Sequence, residues 1–425
     1  MLSDKEKDGN LPGSINDTIN LVDKPAIASG RLTRCRMGDF LKQDIENPVV
    51  LPLYPSSQHH TNYPLKNLKM YQTMEFPFYS FDTAAVKAMK TIATIGSEVP
   101  VVVFEIPRNL DSLKLHWSRW MPYYKECTDI RLLNDDNLAK IDDGSLFTLL
   151  PCEQIPAQKH TIDPDTFYEI YSKAFIPKIE IKQPRDMNKK EAKAPCVIKV
   201  PVSQGGTGVN IVTTDREILE YEECVAKRDW KGELIYQELL TDIVADRGIQ
   251  AYLRKDGSVH LGCTYVPSFN DSGKWSGAIY YSTQEVDPTS LRLIRFCQPA
   301  LKKLRDMGYF GYVSFDVIET RSSELFLLDI NPRLGGSNQH MSMMDGMADK
   351  GFPVSMYEES LKLTITVKEL ISRADFWNNS KDSVVIVLAA QATENDTLLT
   401  AISLFAKNKD HLLSAQNDVF GYFRD

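Results

Sequence analysis

The chain has 425 residues, more than one ordinary hydrophobic core accommodates, which predicts two or three subdomains. Its 43% hydrophobic and 25% charged content is typical of a globular protein in water, and no apolar run is long enough to span a membrane. The formal net charge of −8 argues against a general nucleic-acid or anionic-membrane surface.

The beginning of the chain and its cysteines indicate the compartment. Residues 1–45 are polar with scattered proline and glycine, so we expect a partly disordered lead-in, and the charged start lacks the apolar stretch of a signal peptide. The seven cysteines are scattered, odd in number and without a CxxC pair, which argues against a disulfide framework or a zinc site. The sequence therefore predicts a cytoplasmic protein.

Residues 46–155 alternate apolar runs with helical patterns. Strands are predicted at 49–53, 99–104 and 146–150, and a helix at 82–95. Strands separated by helices are typical of a parallel α/β domain.

Residues 156–240 form a second unit, in which a helix, started by Asp163 and Pro164, precedes strands and a glycine-rich turn. The predicted elements are a helix at 163–175, strands at 196–200, 209–212 and 233–236, and a helix at 215–227.

Residues 241–425 form the last unit. We expect a hairpin of strands 248–253 and 259–266, a polar, mobile loop at 268–277, a helix at 289–307, and a second hairpin of strands 312–319 and 324–333. From residue 356 onwards the pattern predicts helices and one apolar strand, 384–388.

The second hairpin carries the strongest functional signal. If its turn centres between Ser322 and Ser323, Asp316 lies directly opposite Asp329, and Asn331 shares the face of Asp329. Opposed Cβ atoms in an antiparallel pair are about 4.5–5.5 Å apart, so the two negative charges destabilise the pair unless a cation lies between them. Two carboxylates and an amide suit a hard divalent ion, most simply Mg²⁺. Acidic pairs on hairpins are usually only solvated, but the following Asn-Pro-Arg and two glycines weaken that interpretation.

Three features could bind a nucleotide. Residues 203–208 are glycine-rich and could wrap phosphate oxygens with backbone N–H groups, although such a sequence is more often only a turn, and the Gly-Lys-Ser/Thr of a Walker loop is missing. Lys199 lies in an apolar strand, where it either points at phosphates or occupies an edge. Gln237 to Leu240 could offer backbone groups to an adenine edge, though the tetrapeptide is uninformative by itself.

The order of these elements resembles the ATP-grasp superfamily of carboxylate–amine ligases over about residues 160–345. The resemblance implies an α/β (α+β composite) ATP-grasp fold with an N-terminal parallel α/β domain at 46–155, a small subdomain with a linker helix at 156–240, and a large subdomain with C-terminal helices at 241–425. The glycine loop and Trp275-Ser-Gly-Ala also look like a microbial branch of this superfamily whose substrate is unassigned.

The resemblance implies a role for each matching residue. Mg²⁺, or Mn²⁺ in its place, is held by Asp316, Asp329 and Asn331, and Arg333 contacts the γ-phosphate or an acyl-phosphate. ATP is bound by Lys173, Lys199, Gln204, Gly205, Gly206, Thr207, Gly208, Gln237, Glu238, Leu239, Leu240 and Asp246.

The sequence departs from the family pattern at several of these positions. Lys178 is the alternative to Lys173 as the first lysine, and Asp242 is the alternative to Asp246 as the ribose-binding acid. The adenine-binding segment opens with Gln237 where Glu is common. The second metal ligand is Asp329 where many members have Glu, a change that the chemistry tolerates.

The resemblance implies a ligase that converts a substrate carboxylate into an acyl-phosphate and couples it to an amine. Amino acids or short peptides are the expected substrates, and a homodimer is one option for the assembly. We expect Ser337, Asn338, His340 and Arg247 near the substrate, although a lone histidine is more often a structural hydrogen-bond partner.

Four further alternatives stay open at this point. Arg254 could clamp a carboxylate but is more simply a solvated surface residue. His59 and His60 could bind a metal, but a role in a loop or beside the substrate is the simpler interpretation. The same nucleotide site could serve phosphoryl or carboxyl transfer or thioester formation. A regulatory protein that binds nucleotide without turnover is the competitor from another class.

Overall fold

A computed structural model describes residues 27–28, 30–52, 81–132, 145–151, 155–202, 208–227, 233–269, 275–281, 288–380 and 382–424. None of the helices in these ranges is both long and apolar enough to cross a membrane. The six cysteines in these ranges are free thiols, as the sequence predicts.

The N-terminal unit contains a four-stranded sheet in the order β3-β2-β1-β4, and every strand pair in it is parallel. This confirms the predicted parallel α/β unit. Its elements are α1 (Met37–Asp44), β1 (Pro48–Leu51), α2 (Phe81–Ile95), β2 (Val101–Val103), α3 (Leu110–Trp120), β3 (Ile130–Leu132) and β4 (Ser145–Thr148). Part of the predicted lead-in is therefore the helix α1, which buries Met37, Phe40 and Leu41.

The second unit is a small antiparallel sheet in the order β5-β8-β6-β7. Its elements are the 3₁₀ helix Ala157–Lys159, α4 (Pro164–Tyr171), the 3₁₀ helix Lys173–Lys178, β5 (Asp186–Met187), β6 (Cys196–Lys199), β7 (Val209–Val212), α5 (Asp215–Lys227) and β8 (Ile235–Glu238). A separate apolar cluster that includes Ile198, Val212 and Tyr236 forms its core. The small sheet therefore has packing of its own.

The predicted helix at 163–175 is two helices. Asp163 caps α4 as expected, because its side chain accepts a hydrogen bond from the Thr166 backbone N–H. Ser172 then takes an extended conformation and its side chain caps the following 3₁₀ helix, which contains Pro177. A β-region residue cannot continue an α-helix, so the single-helix prediction was wrong.

The third unit is an eight-stranded antiparallel sheet in the order β13-β12-β9-β10-β11-β14-β16-β15. Its elements are β9 (Ile243–Leu253), β10 (Val259–Phe269), β11 (Trp275–Tyr281), α6 (Pro288–Phe296), α7 (Gln298–Asp306), β12 (Gly311–Thr320), β13 (Leu325–Asn331), α8 (Asn338–Met341), α9 (Met344–Asp349), β14 (Val354–Leu363), α10 (Val367–Ser380), β15 (Ser383–Ala392), β16 (Leu398–Ala406) and α11 (Lys409–Arg424). Both predicted hairpins are confirmed.

The structure corrects three predictions in this unit. The helix expected at 289–307 breaks at Cys297, because Pro299 in the first turn of α7 has no N–H to donate and its ring clashes with the preceding turn. The loop expected at 268–277 is bounded by strand residues, since β10 runs to Phe269 and β11 begins at Trp275. The C-terminal region has three strands rather than one, because polar residues of β14, including Ser355 and Glu359, hide its strand pattern.

One continuous hydrophobic core joins the N-terminal unit to the large sheet. Helix α2 packs against β2 of the parallel sheet and also against β15 and β16 of the large sheet. The Trp117 indole of α3 donates a hydrogen bond to the Val387 carbonyl at 2.8 Å. These contacts place α2 against the end of the large sheet that contains β14, β16 and β15. The predicted subdomain boundaries at residues 45, 155 and 240 stay a prediction.

Candidate nucleotide and metal site

Asp316 of β12 lies directly opposite Asp329 of β13, as predicted, although the pairs next to the turn centre on Ser322 and not between Ser322 and Ser323. A β-bulge follows between Asp316 and Val317, and Asn331 is paired with Ser314. A bulge turns the strand locally and re-aims its side chains. The two carboxylates and the amide therefore share one face at the end of the hairpin.

Tyr265 reaches this pair across an intervening strand. Gly248 of β9 is the backbone neighbour of both Asp316 and Tyr265. The Tyr265 ring lies over Gly248 and its hydroxyl donates a hydrogen bond to Asp316 Oδ1 at 3.1 Å. A Cβ at position 248 would lie 1.8 Å from the ring, so only glycine allows this crossing. The sequence analysis did not single out these two residues, although a glycine inside a strand is a known sign of close approach.

The site concentrates negative charge in a buried place. Burial, followed by the neighbouring charges of Asp329 and Asp246, raises the pKa of Asp316 to about 7. The effect has the sign expected when ionised carboxyl groups face each other out of water. A cation between them would offset this repulsion.

The donor set fits Mg²⁺ in its chemistry, since two carboxylates and an amide supply oxygen ligands. Asn331 donates from Nδ2 to Asp316 Oδ2 at 3.2 Å, and its Oδ1 accepts a hydrogen bond from Arg333 at 2.9 Å. Rotation of the amide by a half-turn would present Oδ1 to the carboxylates and would break the hydrogen bond from Arg333. Within the described ranges, no group of three His, Cys, Asp or Glu residues is arranged to hold a metal.

Two buried lysines face the carboxylates from the small sheet and its linker. Lys173 Nζ lies 3.1 Å from Asp329 Oδ2, and Lys199 Nζ lies 3.5 Å from the Leu328 carbonyl oxygen. Burial lowers the pKa of Lys199 to about 8, opposed by Asp329 and reinforced by Lys173. A further anion beside these lysines would stabilise their charged forms. Lys178, the alternative to Lys173, instead pairs with Glu169.

Arg333 completes the charged group. Its Nη1 donates to the Leu334 carbonyl at 3.2 Å, and its guanidinium lies 5.5 Å from the centre of the Tyr171 ring. The stacked ring and hydrogen bonds hold the planar guanidinium in one orientation, as suits an arginine that contacts phosphate.

These residues line one cavity of about 530 Å³ between the small and large sheets, within the size range of ligand sites. Its apolar end is formed by Val197, Ile211, Leu239, Leu240, Ile243, Ile318 and Leu328. Its charged middle is formed by Lys173, Lys199, Asp316, Asp329, Asn331 and Arg333. The apolar and the charged lining residues suit the chemistry of a base and of a metal-bound triphosphate, respectively.

The predicted adenine segment lies at this apolar end. Gln237 and Glu238 belong to β8, which ends two residues later than the strand predicted at 233–236. The Gln237 amide donates to Asp186 Oδ1 at 2.8 Å, and Glu238 accepts a hydrogen bond from the Arg185 backbone N–H at 2.9 Å. Leu239 and Leu240 follow the strand in the cavity wall.

The remaining nucleotide candidates fall in different places. Asp246 lines the cavity, whereas Asp242 forms an exposed ion pair with Arg321 at 3.0 Å. Gly208 has a left-handed φ of +72°, which suits glycine at the end of the glycine-rich turn. Gln204, Gly205, Gly206 and Thr207 lie outside the described residues, as do His59 and His60.

The predicted substrate residues separate into two groups. Ser337 lines the cavity and accepts a hydrogen bond from the Gln250 amide at 2.8 Å. Asn338 is buried behind it, where it donates to Gln250 and accepts from the Gly335 backbone N–H. Asn338 is not part of the described cavity wall, and its side chain is already hydrogen-bonded to other residues of the protein. Its predicted contact with substrate is therefore not supported.

His340 does not reach the cavity. It is fully buried, Nδ1 and Nε2 each lie 2.9 Å from a serine hydroxyl, of Ser403 and Ser355 respectively, and its ring stacks on Phe405. Burial lowers the pKa of His340 to about 3. The expectation that His340 acts as a base or substrate ligand was wrong, because packing uses both ring nitrogens.

The two arginine candidates are also held elsewhere. Arg247 pairs with Glu319, which Arg292 contacts as well. Arg254 pairs with Asp44 of α1 at 2.7 Å and ties the hairpin of β9 and β10 to the N-terminal unit. Neither side chain is part of the described cavity wall, so the proposed clamp on substrate is not formed by them.

A further wall, which no local sequence pattern indicates, closes the cavity beyond Ser337. Thr83 and Lys87 of α2, Trp275 of β11, Gly336, and Glu359 of β14 form this wall. The residues come from a stretch of more than 250 positions of the chain, and a lysine on an amphipathic helix carries no local sign of a site. Only the packing of α2 on the large sheet brings them together.

Solved structures of similar architecture include complexes with ADP and with an ATP analogue. The ADP complex of N5-carboxyaminoimidazole ribonucleotide synthetase aligns with a TM-score of 0.53 and 11% identity, covering 79% of this chain and 93% of that one. A biotin carboxylase–ATP-analogue complex from Campylobacter jejuni aligns with a TM-score of 0.53 and 11% identity, covering 89% and 91%.

A third similar structure is the ADP complex of N5-carboxyaminoimidazole synthetase from Staphylococcus aureus, with a TM-score of 0.52, 9% identity and coverage of 90% and 98%. No protein-family model and no curated protein matches this sequence. The identities are low, so the comparison identifies architecture. The chain therefore has the ATP-grasp fold, with a parallel α/β unit before it.

Proposed function

We propose that this protein is an ATP-dependent ligase that activates a substrate carboxylate as an acyl-phosphate and couples it to an amine, with release of ADP and phosphate. One observation carries the proposal: two facing carboxylates, two buried lysines and a stacked arginine converge in one cavity whose other end is apolar. A protein that only bound nucleotide would have no need for this concentration of opposed charges around the transferred group.

The adenine ring would occupy the apolar end beside Gln237 to Leu240, with Asp246 near the ribose. Lys173 and Lys199 would bind phosphate oxygens and exchange their present carboxylate and carbonyl partners for them. Arg333 would contact the γ-phosphate and stay on it during transfer. Most of the rate enhancement would thus come from orientation and charge neutralisation.

Asp316, Asp329 and Asn331 would hold Mg²⁺, or Mn²⁺ in its place, which when bound neutralises the phosphate charge and orients the triphosphate. A carboxylate oxygen of the first substrate attacks the γ-phosphorus, and the bond to the β-phosphate oxygen breaks to release ADP. The amine nitrogen then attacks the acyl carbon, inorganic phosphate leaves, and the amine loses a proton. Ser337 faces the cavity where the acyl group would lie.

The decisive experiment measures ADP formation from ATP in the presence of Mg²⁺, with pools of amino acids, short peptides and other carboxylates and with product masses read in parallel. ADP that appears only with a substrate pair, together with a condensed mass, supports the ligase. ADP with a phosphorylated, carboxylated or thioester product keeps the nucleotide site and changes the acceptor. Tight nucleotide binding without ADP from any pool contradicts catalysis and favours a regulatory protein.

Asp316→Asn tests the metal site within that assay. We expect ADP formation to fall by about 100-fold or more, since one charged ligand of the ion is removed. The fold should remain intact, because the substitution removes one of two facing negative charges. Asp242→Asn is the matched control, as Asp242 is an exposed aspartate beside the same sheet that pairs with Arg321. Equal activities of the two variants would contradict the assignment.

A further inference from the structure

Two lysines share one carboxylate at the wall formed by Thr83, Lys87, Trp275, Gly336 and Glu359, where Lys87 lines the cavity and Lys90 lies buried behind it. Helix α2 contributes Lys87, and Lys90 lies one turn further on a neighbouring face. Glu359 of β14 is the carboxylate that both ammonium groups contact, with Lys90 Nζ at 3.2 Å. Two cations therefore meet one anion at this wall.

Glu359 is compensated without Lys87. Its Oε2 accepts a hydrogen bond from the Tyr357 hydroxyl at 3.0 Å, and its Oε1 contacts the fully buried Lys90. Burial alone would raise the pKa of Glu359, but Lys87 and Lys90 lower it to about 2. If Lys87 moves away, the carboxylate keeps Lys90 and the Tyr357 hydroxyl as partners.

The two lysines differ in what holds them. Lys90 Nζ donates to the Gly336 carbonyl at 2.9 Å and to the Tyr357 hydroxyl at 2.7 Å, so it is fixed by three groups. Lys87 has its ion pair with Glu359, and its side chain is 21% exposed in the cavity wall. Lys87 is therefore the cation that an incoming anionic group can recruit at the smaller cost.

The position of this wall relative to the reaction centre follows from the chain. Gly336 is three residues after Arg333, so their Cα atoms are at most about 11 Å apart. A Cβ on Gly336 would lie 2.7 Å from Glu359 Oε2 and 2.8 Å from the Trp275 ring, so glycine keeps this part of the wall tightly closed. The separation of Arg333 from Gly336 suits a small molecule that extends from an acyl group beside Arg333 to the wall that contains Lys87.

We propose that Lys87 binds a carboxylate that takes no part in the reaction, and that the amine substrate is therefore an amino acid. Thr83 lies one helical turn before Lys87 in the same wall and lines the same subsite. An amino acid used through its amine keeps a free carboxylate, and a buried carboxylate requires a cation. The role of the amino acid as a substrate rests on the proposed ligase activity. The predicted binding of its carboxylate by Lys87 does not.

The test compares the binding of the twenty standard amino acids and their α-amides with and without magnesium and a non-hydrolysable ATP analogue. Affinities are measured by calorimetric titration of the whole chain, Lys87→Gln and Lys114→Gln. Lys114 is a matched control because it lies on the neighbouring helix α3, pairs with Glu126 at 2.8 Å, and is 20% exposed. It lies outside the described cavity wall.

We expect at least one amino acid to bind the wild type and Lys114→Gln with equal affinity. Its affinity for Lys87→Gln should be about tenfold or more lower, as for a lost charged hydrogen bond. The corresponding α-amide should bind the wild type weakly and show no further loss in Lys87→Gln. Lys87→Arg, which keeps the charge, should recover part of the affinity. In turnover assays, Lys87→Gln should raise the KM of the amino acid and leave the KM of ATP within about twofold.

The outcomes separate this inference from the proposed function. Equal binding of an amino acid to the wild type and Lys87→Gln, or an α-amide that binds as well as the acid, overturns the role of Lys87. The absence of amino-acid binding also overturns it, while ADP formation with another amine would leave the ligase standing. Binding that depends on Lys87 without ADP from any pool would support the subsite and contradict the ligase.

Discussion

At the scale of single residues, a glycine determines how the carboxylate site is built. Gly248 has no side chain between β10 and β12, so the Tyr265 ring crosses it and its hydroxyl reaches Asp316. The hydrogen bond stabilises the ionised form of a carboxyl group whose pKa is raised chiefly by burial. The site thus depends on a residue that contacts no ligand.

Gly248→Ala should displace the Tyr265 ring, since the new methyl group would overlap it. We expect the free energy of unfolding to fall by about 1–3 kcal/mol, as for an overpacked core, together with loss of ADP formation. Urea denaturation measures the first effect. Gly421→Ala is the control, because nothing lies within 4 Å of its Cβ position. Equal stabilities of the two variants would show that the ring moves freely.

His340 gives the protein a pH-dependent stability. Its folded-state pKa is lowered to about 3 by burial, below the ordinary value of 6.5, so the unfolded chain binds the proton first as pH falls. The contribution is complete above pH 6.5 and is lost progressively as pH falls from 6.5 towards 3, at about 1.4 kcal/mol per pH unit at most.

His340→Gln should make the dependence of unfolding free energy on pH shallower across this window, because the group that takes up the proton on unfolding is gone. Urea denaturation at a series of pH values measures the slope. His411→Gln, at an exposed position of α11, should leave the slope unchanged. A slope in His340→Gln that matches the wild type would contradict the assignment.

At the scale of elements, α2 and β14 are joined by a buried ionic network. Lys90 is fully buried on α2, and Glu359 is its carboxylate partner on β14. An ion pair of this kind is expensive to break from one side, because the remaining charge stays buried without compensation. The network therefore stabilises the docking of α2 on β14 and shapes the cavity wall.

Glu359→Gln should lower the free energy of unfolding by about 3 kcal/mol or more, since Lys90 loses the anion that compensates it. Urea denaturation with intrinsic fluorescence reports the change. Glu126→Gln removes an exposed ion pair with Lys114 and should change stability by less than about 1 kcal/mol. Similar midpoints for both variants would mean that Glu359 contributes little to the docking of α2.

At the scale of the whole molecule, the cavity lies between sheets that have separate cores. Lys199 comes from the small sheet, whereas Asp316, Asp329 and Arg333 belong to the large sheet and its extension. A ligand that contacts both sides links the two units. Nucleotide binding should therefore stabilise the folded chain as a whole.

A non-hydrolysable ATP analogue with Mg²⁺, at about a hundredfold excess over Kd, should add about 2.7 kcal/mol to the stability of the folded state. Thermal unfolding measures the shift, with EDTA as the metal-free comparison. Asp316→Asn should lose the part of the shift that depends on Mg²⁺ and keep the remainder, whereas Asp242→Asn should behave as the wild type. A shift that is the same with EDTA would contradict a metal held by these carboxylates.

Local pattern by itself determined several features of this protein. The alternation of residues and the polar turn predicted a hairpin in which Asp316 faces Asp329. The pairs next to the turn would by themselves place Asp316 opposite Leu328, and the β-bulge after Asp316 brings Asp329 opposite it. The parallel α/β unit, α5, and the hairpin of β9 and β10 followed from periodicity in the same way. These are properties of neighbouring residues, so short-range sequence contains them.

Only the tertiary structure decided the rest. His340 and Asn338 follow the hairpin of β12 and β13 in sequence, yet packing turns them into the core. Lys87 and Glu359 are far apart in sequence and meet because α2 docks on the large sheet. Which side of an element faces a cavity depends on what packs against its other sides, and those partners are distant in the chain. Local sequence therefore determined the strands and the hairpin that carry the candidate nucleotide and metal residues, whereas long-range packing decided which residues close the cavity.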